Sequence, residues 1–157
     1  RAIPTRLLYE AIDWPVVILL GAMIPIGTAL QSTGGTGFIT QGLLRLIADL
    51  PPWALLGLIM LITMTLSDFM NNAATAIIMA PIAVSVATNL GVNPDAFLMA
   101  VAVGASCAFV TPIGHQNNML IMGPGGYKFS DYLRAGIPLE IIVLSLGTPL
   151  LMWAWPL

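Results

Sequence analysis

Ser67-Asp68-Phe69-Met70-Asn71-Asn72 interrupts a long apolar stretch, with Leu55 to Leu66 before it and Ala73 to Ala87 after it. In a soluble chain such a run would be an ordinary turn. These flanks are too apolar to be washed by water, so the run reads as a binding site at membrane depth. From Trp53 to Leu66 the chain offers about 14 residues, which at about 1.5 Å each reach roughly 21 Å, short of the roughly 30 Å hydrocarbon core. The spacing therefore predicts a helix that stops inside the membrane at Ser67-Asp68 and returns from Ala73 to Leu90, a re-entrant hairpin over residues 53–90. Two complete spans joined by an exposed loop are the alternative. The hairpin is preferred because Asn71-Asn72-Ala73-Ala74-Thr75 continues into small residues that permit close backbone approach. Irregular backbone at that depth is tolerated only where it is buried in protein or lines a cavity.

Composition gives the same class. Of 157 residues, 58% are hydrophobic and 8% charged, with a mean hydropathy of +0.94; soluble domains carry about 25% charged residues. The chain is an integral membrane protein with room for about four or five crossings in one bundle. A net charge of -2 without a basic run excludes nucleic acid as a partner. The lone Cys107 excludes an internal disulfide and a cysteine metal site; it reads as a packing residue. The nine methionines read as gap fillers. Arg1 is not a natural start and no signal peptide is visible, so a longer parent protein is expected.

Working outward, residues 1–10 read as an interfacial lead-in and 11–31 as a first span anchored by Trp14. Ser32 to Gly37 is a glycine-rich turn without the lysine or spacing of a phosphate loop. Residues 38–50 place Ile39, Leu43, Leu46, Ile47 and Leu50 on one face and Thr40, Gln41, Arg45 and Asp49 on the other, an interfacial amphipathic helix. After the hairpin, Gly91 to Asp95 is a turn with Asp95 as N-cap. A helix from Ala96 to Val110 is again too short to cross and stops at a second polar break, Thr111-Pro112-Ile113-Gly114-His115-Gln116-Asn117-Asn118. With Met119 to Met122 it makes one broken helix over 96–122. Ser130 is expected to cap a short surface helix, and Pro138 to open a final span over 138–155. Arg1, Arg6, Lys128 and Arg134 then share one side and Arg45 the other, which puts the four in the cytoplasm and the carboxyl terminus outside.

Two broken helices meeting at mid-membrane leave N-H groups at one tip and C=O groups at the other without partners. Such a pair suits an anion at helix N-termini and a monovalent cation at unwound carbonyls. Asn71 and Asn72 can donate amide hydrogen bonds without bringing a charge into the membrane. Asp68 reads either as a group for cation binding or proton coupling or as a cap paired within the bundle. His115 reads as a cavity hydrogen-bonding residue or a structural one; with no second ligand at metal spacing it is a poor metal site. Glu140 is expected near the headgroups, snorkelling or paired with Arg134.

At these residues the chain resembles a known family. Ser67 to Ala76, followed by Pro81-Ile82, resembles the second hairpin of the divalent anion/sodium symporters, solute carrier family 13. Ala105 to Asn118, with Gly123-Pro124-Gly125-Gly126-Tyr127-Lys128-Phe129-Ser130-Asp131-Tyr132, is similar to the bacterial permeases of that family that also carry TrkA C-terminal-type domains. The likeness spans nearly all of this chain and the carboxyl-terminal half of a full transporter. It implies an all-α integral membrane fold, one half of an inverted-repeat elevator transporter that works as a homodimer with its amino-terminal half.

The resemblance also implies site residues. Asn71, Asn72 and Ala73 occupy the family's Ser-Asn-Thr substrate triplet, with Asn71 and Ala73 departing from it. His115 stands where many members place a substrate-contacting threonine, and Gln116-Asn117 replace a proline pair. Ser67, Met70, Asn72 and Gly114 stand at the second sodium site, built largely of backbone oxygens that survive substitution. Thr75, Thr111 and Asn118 complete the candidate set. The expected function is sodium-coupled symport of sulfate or a di- or tricarboxylate across a bacterial inner membrane, with Na+ as coupling ion and no other cofactor. A proton-coupled exchanger titrating Asp68, an intramembrane enzyme using Asp68 and His115 as acid and base, and a structural subunit are the other readings. The enzyme is disfavoured because no nucleophile-base pair is present.

Overall fold

A computed structural model of the chain describes residues 50–157, together with 25, 29, 32–35 and 41–42. The lead-in at 1–10, the span at 11–31, the interfacial helix at 38–50 and the charge of Arg45 lie outside the described residues, those isolated positions apart. Gly34, at φ +74°, fits the turn expected there.

All regular structure among the described residues is helical. Helix α1 spans Pro52–Phe69, with Pro52 in the first turn, where a missing N-H costs no hydrogen bond. Helix α2 spans Asn72–Leu90 and is joined to α1 by two extended residues, Met70 and Asn71. The Asn71 side chain caps α2 by accepting the Ala74 N-H at 2.8 Å. Gly91, in the left-handed region at φ +68°, ends α2. Helix α3 spans Pro94–Ala105, and an irregular segment, 106–115, leads to the seven-residue helix α4, Gln116–Met122. Helix α5 spans Phe129–Ala154. By length and composition α1, α2 and α5 can each cross a membrane.

The buried face of α1 repeats every four residues: Leu55-Leu56, Ile59-Met60, Thr63-Met64, Ser67-Asp68. That is one stripe of an α-helix, so the polar pair at its end points where the core points. Thr63 stays inside the stripe because its hydroxyl donates to the Ile59 carbonyl at 2.6 Å. Helix α3 packs against α1, α2 and α5, presenting Ala96, Phe97, Ala100, Val101, Gly104 and Ala105. Small residues there let the helices approach closely. Helix α5 fully buries only Gly136 and Leu151 of its 26 residues; the others are half-buried or exposed, and the exposed ones are mostly apolar.

Four boundaries differ from the sequence reading. Ser67 and Asp68 are helical, so α1 runs 18 residues, about 27 Å at 1.5 Å per residue, and the break narrows to Met70-Asn71. Their side chains find partners across the helix interface, and no local turn is needed to satisfy them. Helix α3 ends at Ala105 rather than Val110, which widens the second break. Its cap is Asn93, whose side chain accepts the Asp95 N-H at 2.9 Å; with Pro94 opening the helix, Asp95 falls inside the first turn. The expected surface helix and final span are one continuous helix, begun by Asp131 accepting the Lys128 N-H at 2.8 Å rather than by a Ser130 cap. Pro138 lies inside it and bends no boundary there.

Gly104 decides how deeply α3 nests. A Cβ there would lie 2.9 Å from the Met60 carbonyl and 3.0 Å from Thr63 Cβ. Gly104→Ala is expected to destabilise the full-length protein by about 1–3 kcal/mol through overpacking, read as a lower melting temperature in detergent.

Candidate substrate and cation site

The end of α1 is fastened to the second break by buried polar contacts. Ser67 Oγ donates to the Ala105 carbonyl at 2.6 Å and lies 3.2 Å from Asn72 Oδ1, the longer arm of the same donor. Asp68 is 3% exposed, and its Oδ1 accepts the Val110 N-H at 3.0 Å. The Thr111 hydroxyl donates to the Asp68 carbonyl and accepts the N-H groups of Ile113 at 3.1 Å and Gly114 at 3.4 Å. The side chains of Ser67, Asp68 and Thr111, all buried, are thus satisfied by backbone groups across the seam, those of Ala105, Val110 and Asp68. Asp68 is held within the bundle through the Val110 N-H.

Gly114 closes the same contact. A Cβ on it would collide with the Ser67 carbonyl and lie 2.6 Å from Ala108 Cβ and 3.0 Å from Asp68 Cα. Only glycine lets the break lie on the end of α1. Ser67, Asn72 and Gly114 are therefore brought together, and Met70 follows in the joint between α1 and α2.

Asn118 holds the break from its other side, donating from Nδ2 to the carbonyls of Ala108 at 3.1 Å and Thr111 at 3.4 Å. Tyr132, quoted in the family motif but given no role of its own, donates to the Asn118 carbonyl at 2.6 Å. Only the spacing of an aromatic hydroxyl in the first turn of α5 could have suggested it. Beside it, Phe109, Asn118, Tyr127, Tyr132 and Gly136 line a cavity of about 350 Å³. A larger apolar groove of about 690 Å³ between α1 and α5, lined by Trp53, Leu61, Leu144 and Met152 among others, holds none of the candidate residues.

The asparagines face outward from this seam. The carboxamide oxygens of Asn71 and Asn72 are engaged within the hairpin, by the Ala74 N-H and the Ser67 hydroxyl. This turns their NH2 groups away, Asn71 exposed and Asn72 half-buried. Ala73 follows in the first turn of α2, half-buried. Thr75 is fully buried, its hydroxyl without a hydrogen-bond partner. His115 and Asn117 are exposed where α4 begins, His115 making no side-chain cap bond, and Gln116 is the first residue of that helix. Glu140 is half-buried on α5, with its Oε1 buried and without a hydrogen-bond partner rather than paired with Arg134 as expected.

Comparison with known proteins places the chain. Residues 1–156 match the citrate transporter family. An uncharacterized transporter of Synechocystis is 45% identical over 145 residues, covering 92% of this chain and 24% of the relative. The uncharacterized transporter YfbS of Escherichia coli is 38% identical over 156 residues, covering 99% and 26%. Human solute carrier family 13 member 4 is 30% identical over 135 residues, covering 86% and 21%. The chain thus spans about a quarter of the length of these relatives. It belongs to the citrate transporter family, a family of membrane transporters rather than enzymes.

Proposed function

We propose that this chain is part of the carboxyl-terminal half of a sodium-coupled symporter for a divalent anion, sulfate or a di- or tricarboxylate. The observation that carries the reading is the hairpin tip. Two asparagine NH2 groups turn outward at the N-terminus of the 19-residue α2, where the helix dipole and uncapped N-H groups favour an anion. A nematode relative, named sodium-dependent high-affinity dicarboxylate transporter 3, is 32% identical over 142 residues, covering 89% of this chain and 25% of its own length.

In this reading Asn71, Asn72, Ala73, His115 and Gln116 bind the anion, and backbone oxygens near Ser67, Met70, Asn72 and Gly114 hold Na+. The close approach of Gly114 to the Ser67 carbonyl supports the cation half. Ala73 offers no hydroxyl, so the anion is met by carboxamides and backbone N-H groups. The α1–α2 pair acts as a re-entrant hairpin and residues 94–122 as a broken helix. The amino-terminal half supplies the facing hairpin, and the transport domain rides as an elevator in a homodimer. The membrane is a bacterial inner membrane, with the carboxyl terminus outside.

Full-length protein in proteoliposomes is expected to take up radiolabelled sulfate or succinate under an inward Na+ gradient and not under a K+ gradient. Uptake of neither anion would sink the symporter reading. Losing a hydrogen bond to a charged group is worth about 1.5–3 kcal/mol, so Asn72→Ala should cut uptake at limiting anion by about 10- to 100-fold with unchanged melting. Wild-type uptake in that variant would remove the hairpin from the site. Gly114→Ala, which pushes the break off Ser67, should raise the Na+ concentration for half-maximal uptake at least about tenfold; an unchanged value takes Gly114 out of the cation site.

A further inference from the structure

Helix α4 is the least supported element of the proposed site. It has seven residues, Gln116–Met122, too few for a helix to persist without outside contacts. Among the described residues it packs against none of the other helices, and Met119, Leu120 and Ile121 are exposed. Apart from the turn that follows it, two side chains bond it to the rest of the described protein. Asn118 gives its Nδ2 to the carbonyls of Ala108 at 3.1 Å and Thr111 at 3.4 Å. Tyr132, from α5, gives its hydroxyl to the Asn118 carbonyl at 2.6 Å. Asn118 is therefore gripped by side chain and main chain at once.

The reach of Tyr132 is set by its own helix. Tyr132 and Gly136 lie one turn apart on the same face of α5. Gly136 is buried, with its backbone against the second break: a Cβ there would collide with the Phe109 carbonyl and lie 2.7 Å from Val110 Cα. That contact fixes how near α5 stands to the break and brings the half-buried Tyr132 to α4. The Tyr127 ring packs edge-on against Tyr132, the ring centres 6.2 Å apart at 67°, an arrangement that aromatic pairs favour and that restricts where the hydroxyl points. Asn118 and Ile121 line the same cavity of about 350 Å³ as the two rings, which leaves room for α4 to shift when the bond is absent.

We propose that Tyr132 is a positioning residue of the transport site: its hydroxyl, donated to the Asn118 carbonyl, holds α4 against the break and so keeps His115 and Gln116 where an anion can meet them. The kinetic consequence rests on the transport reading above, which gives those two residues to the anion. Without the hydroxyl, α4 occupies its place for only part of the time. A site assembled for part of the time binds with an apparent affinity reduced by that fraction, while saturating anion restores it.

Full-length wild type, Tyr132→Phe and Tyr127→Phe are compared in proteoliposomes with sulfate or succinate. Phenylalanine keeps the ring and removes only the hydroxyl. Tyr132→Phe should raise the half-saturating anion concentration about three- to tenfold, the worth of one neutral hydrogen bond, and change the maximal rate less than about twofold. Tyr127→Phe, the control, should stay within about twofold of wild type in both. An unchanged half-saturating concentration in Tyr132→Phe, even with a lowered melting temperature, overturns the proposal, and so does an equal rise in Tyr127→Phe. A second arm needs no transport: amide hydrogen exchange of residues 116–122, followed by mass spectrometry, should quicken about three- to tenfold in Tyr132→Phe while residues 52–69 exchange as in wild type. Unchanged exchange in 116–122, or equal quickening of both segments, overturns the hold on α4. Wild-type protein that moves neither anion would fail the symporter reading and leave the exchange arm to decide Tyr132.

Discussion

The seam between the end of α1 and the irregular segment 106–115 is the constraint on which the rest depends. Backbone groups freed by a helix end must find partners, because membrane interiors offer no water to replace them and each unsatisfied group costs several kcal/mol. Here the two interruptions satisfy each other. The Ser67 hydroxyl takes the Ala105 carbonyl at the end of α3, the Thr111 hydroxyl takes the Asp68 carbonyl, and the Asp68 carboxylate takes the Val110 N-H. Neither break would persist alone, so the site is a property of the pair.

The apolar core aims these contacts. Because the buried stripe of α1 repeats every four residues, the packing that seats Ile59 and Met60 on α3 also brings Ser67 and Asp68 onto the segment that follows α3. Gly104 sets the depth of that packing and Gly114 the closeness of the final contact. The two glycines do related work at opposite ends of the break: one lets side chains interleave, the other lets backbone meet backbone.

The membrane class and the two polar breaks were legible in the sequence, because an apolar chain makes every polar cluster conspicuous. Helix ends were less legible. Ser67 and Asp68 look like turn residues locally, and only partners 38 and 42 positions away in sequence, Ala105 and Val110, keep them helical. The merging of 129–154 into one helix was hidden for a related reason. Pro138 is a breaker by propensity, yet Gly136 binds α5 to Phe109 and Val110 from one side and the helix continues. The bond from Tyr132 to Asn118 and the buried carboxyl oxygen of Glu140 were invisible because each depends on which face of α5 meets the break.

The outward face of the seam explains why the proposed site needs no basic residue. A fixed lysine or arginine there would carry a large desolvation cost and would hold a divalent anion in every state of a transport cycle. Oriented neutral dipoles act differently. The NH2 groups of Asn71 and Asn72 and the start of α2 are already turned, since their oxygens are bound within the hairpin, so no reorientation opposes binding. Their pull on an anion is modest without a compensating cation. On the proposed reading, Na+ beside Ser67 and Gly114 supplies that compensation a few bonds away, which couples the two ligands through electrostatics: each raises the other's affinity by the same factor, and neither is held firmly alone.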